Sequence, residues 1–150
     1  MSESKAPTGI YIASKTKYAE NWRGWRTRGL PIVSTWIDEA GPGESADLAD
    51  LWLRCIREAS SCDLLVCYRA PDDVLKGAFI ELGAALASGR EVWAVGLDEY
   101  TVANHPSIRH FTTLDDLRQS LFWRFGEQGR GFEAVHDRAA LSRARGEGNV

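Results

Sequence analysis

The chain has 150 residues, of which 44% are hydrophobic and 26% charged, with a net charge of −3. That length fits one domain around one core, and the slightly acidic balance excludes a general nucleic-acid binder, whose surface is basic. No run approaches the roughly 20 apolar residues that span a bilayer, and the polar residues 1–7 give no sign of a secretory h-region. The three cysteines, Cys55, Cys62 and Cys67, lack metal-ligand spacing and fit a reducing cytoplasm.

In chain order, Gly9-Ile-Tyr-Ile-Ala-Ser14 reads as a first strand ending in small and polar residues. Residues 17–28 have helical character and stop at Gly29, a favourable helix end. Pro31-Ile-Val-Ser-Thr-Trp36 reads as a second strand, and residues 38–45, with Gly41-Pro-Gly43, as a loop. Residues 46–60 form a second helix, because Leu48, Leu51, Trp52, Cys55, Ile56 and Ala59 follow a helical period.

Asp63-Leu-Leu-Val-Cys-Tyr68 is nearly all apolar, as a strand buried on both faces should be. A loop with a Pro71-Asp-Asp73 turn signal leads into a third helix over 75–88, which Gly89 closes. Glu91-Val-Trp-Ala-Val-Gly96 is a fourth strand, residues 107–112 a weaker fifth. Residues 114–125 form the last helix, capped by Thr112 or Thr113, with Asp115 and Asp116 in its first turn.

Strands alternating with helices predict a parallel sheet covered on both faces. Five strands in the first 125 residues fit a flavodoxin-like, doubly wound α/β fold of strand order 2-1-3-4-5. Residues 126–150 have few apolar side chains and read as a polar tail, mobile or interface-forming. The arginine clusters at 23, 26 and 28 and at 138, 143 and 145 read as solvated helix faces.

Ligands of such folds bind beyond the carboxyl ends of the strands. The first strand brings Ala13, Ser14 and Lys15 there, the second Trp36 and Asp38, the third Arg69, Asp72 and Asp73. No phosphate loop, dinucleotide fingerprint or nucleophile elbow is present. His105, His110 and His136 show no metal spacing, so neither a metal nor a cofactor is expected. Trp36 is placed to stack on a nucleobase, whereas Trp22, Trp25, Trp52 and Trp93 read as core or interface.

The most informative residue is Glu81, the one charge in Gly77-Ala-Phe-Ile-Glu-Leu-Gly-Ala-Ala-Leu-Ala87. Its helical neighbours Gly77, Ala84 and Ala85 are small and leave room for a ligand. A rim of carboxylates without metal or phosphate-loop signals suits chemistry at an anomeric carbon, where one acid attacks or stabilises the sugar and another protonates the leaving group.

The run Gly77-Ala-Phe-Ile-Glu-Leu-Gly-Ala-Ala85 resembles the Gly-Thr-x-x-Glu-Leu-Gly-x-Ala signature of the nucleoside 2-deoxyribosyltransferase-like family. Ile10-Tyr-Ile-Ala13, Asp63-Leu-Leu-Val66 and an acid in the loop that follows extend the resemblance over residues 9–117. The resemblance implies an N-glycosyl transferase or hydrolase of (deoxy)nucleosides or their monophosphates. Glu81 would then be the nucleophile at C1′ and Asp72 the assisting acid, with Asp73 its competitor. Tyr11 and Ala13 would line the sugar side.

Two departures bear on substrate. Ser14-Lys15 replaces a Gly-Pro pair, and Ala78 the signature threonine. Lys15, Arg69 and Lys76, with Gly77 at the helix start, form a possible phosphate site. A nucleotide-sensing module without catalysis is the alternative function. The apolar third helix, flanked by helices bearing tryptophan, predicts a homo-oligomer, dimeric or larger.

Overall fold

Apolar runs become the strands of the computed structural model, which describes residues 8–40 and 46–126. Four strands, β1 (Ile10–Ala13), β2 (Leu64–Tyr68), β3 (Glu91–Val95) and β4 (Ile108–Phe111), form one parallel sheet in the order β1-β2-β3-β4. Ile10 pairs with Leu64, Leu64 with Glu91, and Val92 with Ile108. All of β1, and β2 up to Cys67, is buried, so both faces of the sheet are covered.

Four helices connect or flank the strands: α1 (Ala19–Thr27), α2 (Leu48–Ser61), α3 (Gly77–Ala87) and α4 (Leu114–Phe125). Asp47 caps α2 by accepting from the Asp50 N–H, and Thr113 caps α4 by accepting from that of Asp116. Helix α3 buries Ala78, Glu81, Leu82 and Ala85, the i, i+3, i+4, i+7 stripe of a core-facing helix. It packs beside α2 and across β1, β2 and β3. Trp22, Trp25 and Trp93 are buried in the core.

The expected second strand is the main correction. Residues 31–36 make one parallel bridge, Ile10 to Ile32, and then turn into a short 3-10 helix, Thr35–Asp38. The reason lies in side chains that take over the edge of β1. The Ile12 N–H donates to Ser34 Oγ at 3.1 Å, and the Ile12 carbonyl accepts from Trp36 Nε1 at 2.8 Å. With both groups satisfied this way, no further ladder bond is available to Ile12. The five-stranded sheet of order 2-1-3-4-5 is thereby corrected to four strands, with residues 31–33 beside the outer edge of β1.

Among the described residues, no helix is long and apolar enough to cross a membrane. The polar tail expected from residue 126 onward lies, from 127, outside the described residues, as do His136 and the loop residues 41–45.

Candidate functional site

The chain leaves the carboxyl end of β1 through Ser14, Lys15 and Thr16 and returns there after β2 through residues 69–76. Between these two loops and α2 lies a cleft of about 310 Å³. Ser14, Lys15 and Thr16 form one side; Val74, Leu75, Lys76, Gly77 and Ala78 form another. Trp36, with Leu51, Trp52 and Cys55 of α2, supplies an apolar and aromatic wall, and Glu81 also lines the cleft.

Glu81 sits in the second turn of α3 and is 8% exposed. Burial pushes its carboxyl up to about 8; nearby Tyr11 opposes the shift and the Glu58 charge adds to it. The Tyr11 hydroxyl is itself buried and closes no hydrogen bond of ordinary geometry. Burial, then the Glu81 charge, raises the Tyr11 phenol far above its usual range. Burial thus favours the neutral form of Glu81, beside a phenol that keeps its proton.

The start of α3 faces the same space. No side chain caps it at Lys76, so its leading backbone N–H groups give the cleft a positive end. Lys15 donates to the Val74 carbonyl at 3.4 Å. Gly77 allows the wall to close, because a Cβ there would lie 2.9 Å from Cη2 of Trp52.

Of the residues expected at the site, Glu81, Ser14, Lys15, Trp36 and Gly77 come together around the cleft. Ser14 Oγ is already engaged, accepting from Trp22 Nε1 and donating to the Lys15 carbonyl, both at 2.9 Å. Tyr11 and Ala13 lie within β1, fully buried, and do not line the cleft.

Asp38 stands outside it, paired with Arg26 through two bonds of 3.0 and 2.7 Å, which hold its carboxyl below the usual range. Asp72 is exposed, with φ 75, in the left-handed region. Asp73 is 5% exposed and turned toward Tyr18, Lys17 and the Ala70 N–H.

The expected phosphate trio is divided. Arg69 donates to the carbonyls of Asp73 and Gly96, pairs with Glu99 at 2.7 Å and lies over the Tyr100 ring. It lines a neighbouring hollow with Gly96, Asp98 and His110. Only Lys15 and Lys76 of the three remain on the cleft.

Sequence reasoning missed Glu58. It is 2% exposed and accepts from the Thr35 backbone N–H at 3.0 Å and from Thr35 Oγ1 at 2.9 Å. Its signal was present: it stands three residues after Cys55 and next to Ala59, on the buried side of α2. Trp52, expected in core or interface, is half-buried and lines the cleft.

Cys55, Cys62 and Cys67 are buried free thiols that burial pushes up to about 11, 11 and 12. Among the described residues, no three His, Cys, Asp or Glu side chains are grouped to hold a metal ion. No family model, curated protein or solved structure matches the chain.

Proposed function

We propose that the protein cleaves or transfers the N-glycosidic bond of a (deoxy)nucleoside or nucleoside monophosphate, with Glu81 attacking C1′. The observation that carries this reading is a buried carboxyl on the wall of a 310 Å³ cleft at the carboxyl end of a parallel sheet. That volume is at the small end for ligand pockets and fits one small molecule. Trp36 and Trp52 offer a base aromatic surface, and the uncapped start of α3 with Lys15 and Lys76 offers an anionic group a positive one.

In the reaction, a Glu81 oxygen donates an electron pair to C1′ as the C1′–N pair leaves with the base. The base takes a proton, from water or from Asp72 turned inward from its exposed loop. Water or a second base then attacks C1′ and frees Glu81. Only ionised Glu81 can attack, so the rate rises with pH, with its midpoint near 8.

A sensing module is favoured by one observation: among the described residues lining the cleft Glu81 is the only acid, and burial favours its neutral form. A neutral carboxyl donates a hydrogen bond to a ligand instead of attacking it. Incubation with a panel of nucleosides and 5′-monophosphates separates the two. Free base supports the enzyme; a nucleotide-dependent rise in melting temperature without free base supports the sensor. The homo-oligomer belongs to either reading, and the exposed Leu53, Ile56 and Ile80 on α2 and α3 support it.

A further inference from the structure

The two loops that wall the cleft are far apart in sequence, and Asp73 joins them. Its Oδ2 accepts from the Tyr18 hydroxyl at 2.8 Å and from the Ala70 N–H at 3.0 Å, while Oδ1 faces Lys17 Nζ at 3.3 Å. Its backbone carbonyl accepts from Arg69 Nε at 2.9 Å. Tyr18 is itself held edge-on to Tyr68 and Trp22, with ring centroids 5.1 and 6.4 Å away. One residue beyond Asp73, Val74 accepts from Lys15. One residue before it, Asp72 adopts a left-handed φ of 75 that disfavours an L side chain.

A buried, paired carboxylate is weak evidence for stability, but losing one partner is strongly felt, which suits it to fixing one geometry. Here the fixed geometry is that of the cleft. Lys15 and Thr16 precede Lys17 and Tyr18 on one wall, and Val74, Leu75 and Lys76 follow Asp73 on the other.

We propose that Asp73 is a positioning residue: through Tyr18 and Lys17 it latches the loop after β1 to the loop after β2, and so sets the width of the cleft in front of Glu81. Lys17, Tyr18 and Asp73 do not line the cleft. It rests on the glycosidic reading only for the identity of the molecule held.

The test compares wild type with Tyr18→Phe, which removes one hydroxyl, and Asp73→Asn, which removes the charge. Amide hydrogen exchange of the ligand-free protein is the first readout. Both variants should speed exchange in residues 14–18 and 70–77 together, by on the order of tenfold, and leave β2, β3 and α4 unchanged. A change in one loop alone, or an even change through the whole protein, overturns the latch. If Asp73→Asn fails to fold, Tyr18→Phe decides.

The second readout is base release from a purine nucleoside 5′-monophosphate. The latch predicts a KM raised about tenfold with kcat nearly constant; a loss confined to kcat contradicts it. A wild type that releases no base from any member of the nucleoside and 5′-monophosphate panel refutes the glycosidic reading, and the exchange result then decides the latch alone.

Discussion

Trp36 Nε1 donates to the carbonyl of Ile12 at 2.8 Å, so one aromatic side chain both closes the edge of the sheet and lines the cleft. Trp36→Phe keeps a ring but leaves a buried carbonyl without its donor. The expected cost is about 1–3 kcal/mol in the free energy of unfolding, read by urea denaturation. Unchanged stability would mean that the bond contributes nothing to holding residues 34–36.

Glu81 sets a pH dependence of stability. Its carboxyl, ordinarily near 4.5, is raised to about 8 in the folded chain. Between these values the folded chain keeps a proton that the unfolded chain has released, so the contribution of Glu81 to stability is lost as pH rises through that window. Glu81→Gln removes this loss. Relative to wild type, the variant should gain on the order of a few kcal/mol from pH 5 to pH 8.5 in denaturation curves. A constant difference across the window contradicts the raised value.

These two residues also show what was legible in the sequence. Glu81 stood out because a lone acid in an apolar helix has few places to go, and the alternation of strands and helices exposed the parallel sheet. The segment at 31–36 misled because Ile32 and Val33 look like strand residues, whereas the Ile12 N–H donating to Ser34 Oγ and Trp36 Nε1 donating to the Ile12 carbonyl decide the conformation. Such long-range side-chain capture leaves no local periodicity to read. Asp72 and Asp73 are adjacent acids in a turn, and only the fold sends one into solvent and buries the other.

Glu58 tunes Glu81 through its charge, which adds to the upward shift. Glu58→Gln should therefore move the pH midpoint of base release downward by a fraction of a unit. It should also cost about 1–2 kcal/mol, because one of its two bonds to Thr35 loses its acceptor. A pH–rate profile checks the first effect; an unmoved or raised midpoint removes Glu58 from the site's electrostatics.

Gly77 tests the packing of the wall. In Gly77→Ala the new Cβ would press on Trp52, at 2.9 and 3.3 Å from two ring carbons. Better helix propensity offsets up to about 1 kcal/mol of that strain. Stability should change by less than about 1 kcal/mol, while the half-buried Trp52 ring shifts and nucleotide affinity falls about tenfold. Titration by calorimetry reads the affinity, and an unchanged Kd would place the ligand away from Trp52.

Release of free base by wild type and by Glu81→Gln, measured at pH 8 on the same nucleoside or 5′-monophosphate, bears most directly on the assignment of Glu81. Wild type should release base, and the variant should be slower by on the order of a thousandfold while still folded. Equal rates in the two proteins would contradict the role of Glu81 as nucleophile.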